Sequence, residues 1–277
     1  FYDQLGKHVS GSLEGEKWKR NLRFTLKHLS ILGAGKSKFD QKLHKLLDRV
    51  EKYVESKEGI PNDYYEIMVN FASNVILSIC LSTDFNHDDP DYSCLKDAIL
   101  NVTSSMSYMN LQLCGRGHWL FSHLNVKQRE KLNAIIPNQS VLKRYIHKKI
   151  DERMKTFDPQ NCNDLLDYFL NQSNDETSDL FHKDSIIDKI AEMIVAATET
   201  TSALLYQGLR LMAEHQKIQE NVFEEINEKL GLTSVVCLAD RDSLPYTNAV
   251  ISEIHRFVCL ISLVSTHVNR GLFVRSI

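Results

Sequence analysis

The segment that decides the fold reads IAEMIVAATETTSALLYQGL and runs from Ile190 to Leu209. Its only charged residues are Glu192 and Glu199, and apolar side chains recur on every face of the predicted helix. We therefore expect a helix that passes through the middle of a domain. A carboxylate buried there is costly unless it is paired, hydrogen-bonded or protonated, so Glu199 is a candidate for proton handling.

Within this segment, the run from Ala196 to Thr201 allows two interpretations. Ala196 and Ala197 carry little bulk, so a flat ligand can lie against the helix there, and Thr200 can turn its hydroxyl inward. Alternatively, the run is an alanine-rich packing seam in which the threonine bonds to its own helix. The local sequence alone slightly favours the second interpretation.

The composition is that of a large globular protein. The 277 residues are 43% hydrophobic and 25% charged, and the net charge of -3 argues against a nucleic-acid partner, which usually requires a strong basic excess. Six widely spaced cysteines without a C-x-x-C pair argue against a structural zinc site and indicate reduced thiols. No segment has the pattern of a signal peptide or of a clean membrane span.

Helical periodicity dominates the rest of the chain. Only five prolines and eleven glycines interrupt it, and between them apolar residues recur at helical spacing. We see no internal repeat and no linker long enough to divide domains, so residues 1–277 are expected to belong to one mainly α domain. Three stripes predict helices with one buried face: Phe39, Leu43, Leu46, Leu47, Val50 and Val54; Tyr65, Val69, Ala72, Val75, Ile76 and Ile79; and Leu142, Tyr145, Ile146, Ile150 and Met154.

Three shorter patterns also have more than one interpretation. Glu253 and Arg256 lie three residues apart on one predicted helix face and can pair, which by default is an ordinary surface ion pair. Trp18, followed by basic residues up to Arg23, can hydrogen-bond an anionic ligand or form a solvated basic face with an anchored tryptophan. The run GAGKS at Gly33 to Ser37 matches only the tail of a phosphate-binding loop, so a surface turn is preferred.

Taken together, the order and spacing of these patterns resemble the cytochrome P450 family, particularly the microsomal type that oxidises drugs, steroids and fatty acids. The separation of Thr200 from Glu253 matches that type closely, as do the runs DLLDYFL at Asp164 to Leu170 and DRDSLPYT at Asp240 to Thr247. The resemblance covers about residues 10–268. It implies a mainly α, cytochrome P450-like helical fold, present here as a partial domain that is incomplete at both ends.

The resemblance also implies catalytic roles on the central helix. Thr200 would hydrogen-bond the bound dioxygen, and Glu199 would help to deliver protons for O–O cleavage. Ala196 and Ala197 would lie over the face of the haem. Ala197 stands where the family usually has glycine, which adds a methyl group close to the oxygen site.

Other residues would hold the haem or the structure around it. Trp18 and His267 would contact the haem propionates, and Arg23 would substitute for an arginine that the family commonly has one residue earlier. Glu253 and Arg256 would form a buried structural pair, and breaking it would strand one charge.

No metal ligand is assigned in this sequence. In this family the axial ligand of the iron is a cysteine thiolate on a glycine-rich loop well downstream of the acid–arginine helix. The 277 residues contain no such loop, and Cys259 lacks its context. We therefore expect a fragment that lacks both this loop and the hydrophobic N-terminal anchor of microsomal members.

The implied function is haem-dependent monooxygenation of small lipophilic compounds. It would use dioxygen and electrons from NADPH-cytochrome P450 reductase, at the cytosolic face of the endoplasmic reticulum membrane. The cofactor would carry the oxidation chemistry while the protein positions it and supplies protons. Two alternatives stay open: a catalytically inactive truncated fragment, and a helical interaction module without a cofactor.

Overall fold

The structure is a computed structural model that describes residues 12–33, 39–112, 135–173, 180–231 and 234–260, with the backbone alone for 103–112 and 135–137. These residues form nine α-helices, one short 3-10 helix and no strand, as the mainly α prediction requires. The helices are α1 (Gly15–Leu32), α2 (Asp40–Glu55), α3 (Tyr65–Leu81), α4 (Pro90–Gln112), α5 (Ile135–Met154), α6 (Leu165–Ser173), α7 (Lys183–Glu214), α8 (Gln216–Leu230) and α9 (Pro245–Val258), with the 3-10 helix (Leu238–Ser243) before α9.

Helix α7 is the central element of the fold. It packs most extensively against α3 and also contacts α4, α5, α6, α8 and α9. In its first part, Ile186, Ile190 and Ile194 are each at most 1% exposed. From Ala196 onwards, exposed and half-buried residues recur along the helix. The expected passage through the middle of the domain therefore holds for the first part of α7, whereas the second part lies at the surface on one side.

The core lies where α3, α4, α5, α6 and α7 meet. Its largest fully buried members include Leu77 on α3, Ile99 on α4, Ile146 on α5 and Phe169 on α6. Ser82 after α3 adopts a left-handed conformation with φ 50° that ends the helix. None of the helices in the described ranges combines the length and apolar composition needed to cross a membrane.

The three predicted stripes lie on α2, α3 and α5, and their centres are buried. Their edges are not: Leu47 and Val54 on α2 are each 42% exposed, and Met154 at the end of α5 is 61% exposed. The expectation that these three residues belong to the core is wrong. Helix α2 packs chiefly on α3, so the area that it covers is narrower than its apolar stripe.

A buried ion-pair cluster joins the ends of three helices. Arg153 on α5 donates to Asp164 at 2.8 Å, to Asp167 at 2.5 Å and to the carbonyl of Leu81 at 3.4 Å. The side chains of Asp164 and Asp167 are 0% and 4% exposed. Both carboxylates also accept backbone N–H groups at the start of α6, from Asp167 and Asn163 respectively. One guanidinium thus fixes α6 against the ends of α3 and α5.

We predict that Arg153→Met lowers the free energy of unfolding by about 3–5 kcal/mol, because it leaves two buried carboxylates without their cation. Urea denaturation measures the loss. Lys19→Met, which breaks the exposed pair with Glu16, is the matched control and is expected to change stability little. Equal losses in the two variants would contradict the role assigned to Arg153.

Helix α7 also buries a lysine. Lys189 is 2% exposed, and its ammonium donates to the carbonyl of Leu180 and to the hydroxyl of Ser185. It lies 4.9 Å from the centroid of the Phe181 ring. Burial lowers the pKa of Lys189 to about 8, although Asp188 and Glu192 act in the opposite direction. The folded protein therefore holds this charge less readily than the unfolded chain does.

Lys189→Met is expected to stabilise the protein at pH 7 by up to about 3 kcal/mol. Between pH 8 and the unfolded pKa of 10.5, the unfolded state binds more protons, so wild-type stability rises with pH and the advantage of the variant shrinks. Denaturation of both proteins across this window measures the difference. Lys183, whose side chain is 40% exposed, provides the control. The difference in stability between Lys183→Met and wild type should not shrink across this pH window.

Candidate functional site

The run from Ala196 to Thr201 lies where α7 leaves the core. Thr198 and Ser202 are 0% exposed and face the interior, whereas Ala196 is exposed and Thr200 is half-buried. One side of the helix therefore presents only a methyl group beside a threonine at this point. A side chain this small leaves the helix surface open to a flat molecule.

The hydroxyls of this run bond to their own helix. Thr200 Oγ1 donates to the carbonyl of Ala196 at 2.7 Å, and Thr198 Oγ1 donates to the carbonyl of Ile194 at 2.7 Å. This is the geometry of the packing-seam interpretation. It does not remove Thr200 from chemistry, because a hydroxyl that donates its proton still has lone pairs with which to accept a hydrogen bond.

Glu199 contacts a tyrosine from a neighbouring helix. Its carboxylate is half-buried, and Tyr65 at the start of α3 donates from its hydroxyl to Oε1 at 3.2 Å. The expectation of a fully buried acid is therefore wrong in degree, because α7 reaches the surface before this position. In the sequence, Tyr65 is recognisable only as a member of an apolar stripe. The two residues are 134 positions apart, so no local spacing could reveal their contact.

Glu253 and Arg256 form a bidentate pair on α9, with Nε to Oε2 at 2.7 Å and Nη2 to Oε1 at 2.6 Å. The hydrogen bond from Arg256 lowers the pKa of Glu253. The expectation of a buried pair is wrong for the described residues, because the two side chains are 60% and 71% exposed. Helix α9 packs on α7 and α8, and Ile254 turns toward Gly208 of α7. The pair lies on a side of α9 that these contacts leave exposed.

A carboxylate from α8 caps the start of α9. Glu225 accepts the backbone N–H of Tyr246 at 2.8 Å and both the N–H and the hydroxyl of Thr247 at 2.7 Å. Desolvation of Glu225 opposes its ionisation, but these hydrogen bonds outweigh it and lower its pKa. The first N–H groups of a helix have no partner within the helix, and a negative charge there is favourable. Glu225 thus sets the position at which the helix carrying Glu253 begins.

We predict that Glu225→Gln lowers the melting temperature by about 2–4 °C, because the amide replaces a charged acceptor by a weaker neutral one. Calorimetry at neutral pH measures the change. Glu224→Gln, one residue earlier and exposed, should leave the melting temperature nearly unchanged. Because the folded pKa of Glu225 is lowered, the difference should disappear as the pH falls through that value.

Trp18 and Arg23 lie on α1, away from the contacts just described. Trp18 is 44% exposed and Arg23 is exposed, so both side chains are open to solvent. The tryptophan does not anchor the helix. Phe24 does, with its ring centroid 5.3 Å from that of Phe169 and 4.6 Å from that of Phe181. Among the described residues, no hydrogen bond or ion pair brings Trp18 or Arg23 to the run on α7.

Two sequence predictions fall wholly or partly outside the described residues. His267 lies outside them, as do positions 34–37 of the GAGKS run. Gly33 is described and ends α1 in a left-handed conformation with φ 97°, where its N–H bonds to the carbonyls of Leu29 and Ser30. Glycine favours this conformation, so Gly33 is explained as a helix C-cap.

Comparison with known proteins identifies the family. The family model described as Cytochrome P450 matches residues 2–272. The chain belongs to the cytochrome P450 family. Among similar proteins, cytochrome P450 2C25 of Mesocricetus auratus is 29% identical over 256 residues, which are 91% of this chain and 51% of that protein. Cytochrome P450 2J2 of Homo sapiens is 29% identical over 252 residues, 90% of this chain and 49% of that protein.

A solved structure shows the same fold. The structure of a zebra fish cytochrome P450 with progesterone matches with a TM-score of 0.78 at 22% identity, and covers 92% of this chain and 58% of that chain. This confirms the predicted cytochrome P450-like helical fold. The chain spans about half the length of the curated relatives that it matches.

The described residues offer two features that a haem site would need. Ala196 and Ala197 leave space against α7 for a flat ring system, and Trp18 and Arg23 offer exposed N–H donors of the kind that bind carboxylates. Within the described ranges, no group of three or more His, Cys, Asp or Glu side chains is placed to hold a metal ion. The features that would suit a haem are therefore the open surface of α7 and the hydrogen-bond donors on α1.

Proposed function

We propose that the protein containing this sequence is a haem-dependent monooxygenase of small lipophilic compounds. Membership of the cytochrome P450 family supports this proposal. The observation that carries it is local: an exposed alanine, a half-buried threonine and a half-buried acid lie within one turn of the central helix, where it leaves the core. A packing seam alone does not require the acid.

The residues of α7 would divide the work at this site. Haem supplies the chemistry of dioxygen activation when it is bound. Ala196 and Ala197 would keep the helix surface free for it. The Thr200 oxygen would accept a hydrogen bond, and its proton is already directed to the Ala196 carbonyl.

Glu199 would move protons between solvent and this site. Its carboxylate is partly exposed, so it can exchange protons with water, and the Tyr65 hydroxyl holds one of its oxygens. General acid–base groups need both a proton source and a fixed position. Glu199 has a fixed partner and contact with solvent.

Trp18 and Arg23, with His267, would bind the propionate groups of the cofactor through hydrogen bonds and charge. Glu253 and Arg256 would act as a structural pair on α9. Electrons would come from NADPH-cytochrome P450 reductase, and the protein would act at the cytosolic face of the endoplasmic reticulum membrane. Similarity to microsomal relatives supports both proposals.

The first test is the spectrum of the protein. Expressed with an ample haem supply, the protein that contains this sequence should show a thiolate-type Soret band in the reduced carbon monoxide difference spectrum. A colourless protein would favour the cofactor-free helical module. Bound haem without that band would favour the inactive fragment.

The second test is a single substitution. Thr200→Ala should divert reducing equivalents from product to peroxide or water, because the site loses its hydroxyl while keeping the small helix surface. The ratio of product formed to NADPH consumed measures the effect. Thr201→Ala removes a hydroxyl from an exposed neighbour and is the matched control. Unchanged coupling in Thr200→Ala would contradict the role of Thr200.

A further inference from the structure

The side chains of α7 from Ala196 onwards can be grouped by the side of the helix on which they lie. Glu199, Ser202 and Tyr206 recur at spacings of three and four residues and share the side that faces the start of α3. Ala196 and Thr200 lie about 60° and 100° around the helix from Glu199, in the opposite direction from Ser202. Glu199 therefore lies beside the small residues on the helix surface, and its hydrogen bond with Tyr65 directs the carboxylate toward α3.

Tyr65 holds the acid in that direction through two contacts. Its hydroxyl donates to Glu199 Oε1 at 3.2 Å, and its ring packs edge-on against Tyr206, with the centroids 5.5 Å apart. The backbone N–H of Tyr65 donates to Asp63 at 2.9 Å, which fixes the first residue of α3. The phenol is thus held at its backbone, its ring and its hydroxyl.

The chemistry of this contact fixes which group donates. Burial, together with the charge of Glu199, raises the pKa of Tyr65 to about 12. The phenol therefore stays protonated at neutral pH and donates to the ionised carboxylate. A hydrogen bond to a charged acceptor is stronger than one between neutral groups and prefers a narrow geometry.

We propose that Tyr65 is a positioning residue for Glu199, which holds the carboxylate on the α3 side of α7 and thereby sets the direction from which the acid serves the Ala196–Thr200 side. The consequence of this positioning for proton handling rests on the proposed function. The hydrogen bond between Tyr65 and Glu199 does not depend on that function, and it can be tested in the 277-residue chain without a cofactor.

The contact is tested by a double-mutant cycle of Tyr65→Phe, Glu199→Gln and the double variant. Tyr65→Phe keeps the ring against Tyr206 and removes the hydroxyl, which also interacts with Ser202, so the cycle isolates the part of its effect that depends on Glu199. We expect a coupling of about two- to tenfold in the equilibrium constant of unfolding, as for a hydrogen bond of ordinary strength. Tyr64→Phe, on the adjacent half-buried tyrosine, is the matched control and should show no coupling to Glu199→Gln.

A spectroscopic measurement separates positioning from simple stabilisation. The infrared difference between wild type and Glu199→Gln isolates the carboxylate stretch of Glu199. The same difference measured in the Tyr65→Phe background should show this band shifted, because the carboxylate has lost a donor. An unshifted band, or no coupling in the cycle, overturns the proposal.

The haem-loaded protein tests the consequence. Tyr65→Phe should lower the ratio of product formed to NADPH consumed, in the same direction as Glu199→Gln and by less. If Glu199→Gln lowers this ratio and Tyr65→Phe leaves it unchanged, the positioning role is overturned while the proposed function stands. If Glu199→Gln itself has no effect, the proton role of the acid and the positioning role fail together.

Discussion

Burial of the first part of α7 is the constraint on which the rest of the structure depends. From Ser185 to Ala191 every residue of α7 is buried, and α3, α4, α5 and α6 together cover this part of the helix. Each fully buried isoleucine contributes about 1.5–3 kcal/mol relative to an exposed one, so Ile186, Ile190 and Ile194 alone outweigh most single polar contacts. Helix α3 is also buried on more than one side, because the consecutive residues Ile67 to Asn70 are all buried.

The position of the candidate site follows from where that burial ends. Asp188, in the first part of α7, is 7% exposed and pairs with Lys143, whereas Glu199 remains partly exposed to water and accepts a hydrogen bond from a phenol. A methyl group at Ala196 would contribute little to a core, but at the surface of the helix it leaves space. The same transition therefore permits both an ionised acid and a flat ligand. Under the proposed function, this arrangement would serve haem binding and proton handling.

The sequence predicts the helices well because the buried side of each helix is apolar, and this produces a helical period in the sequence. It predicts less well the outermost residue of each stripe, such as Leu47, since the width of a contact depends on the neighbouring helix. The exposure of Glu253 and Arg256 was wrongly predicted for the same reason: their spacing fixes that they can pair and says nothing about what covers them. The contacts of Tyr65 with Glu199 and of Glu225 with Thr247 join separate helices, and no pattern within one helix encodes them.

These polar contacts between helices do what apolar packing cannot. Hydrophobic burial is non-directional, so it selects the side of a helix that faces inward and leaves its rotation and axial position less sharply defined. A hydrogen bond to a carboxylate fixes both, because it weakens steeply with distance and angle. Arg153 does this for α6, Glu225 for α9, and Tyr65 for the acid of α7. Since α3 is the helix most extensively packed on α7, a donor at its first residue carries the order of the core directly to Glu199.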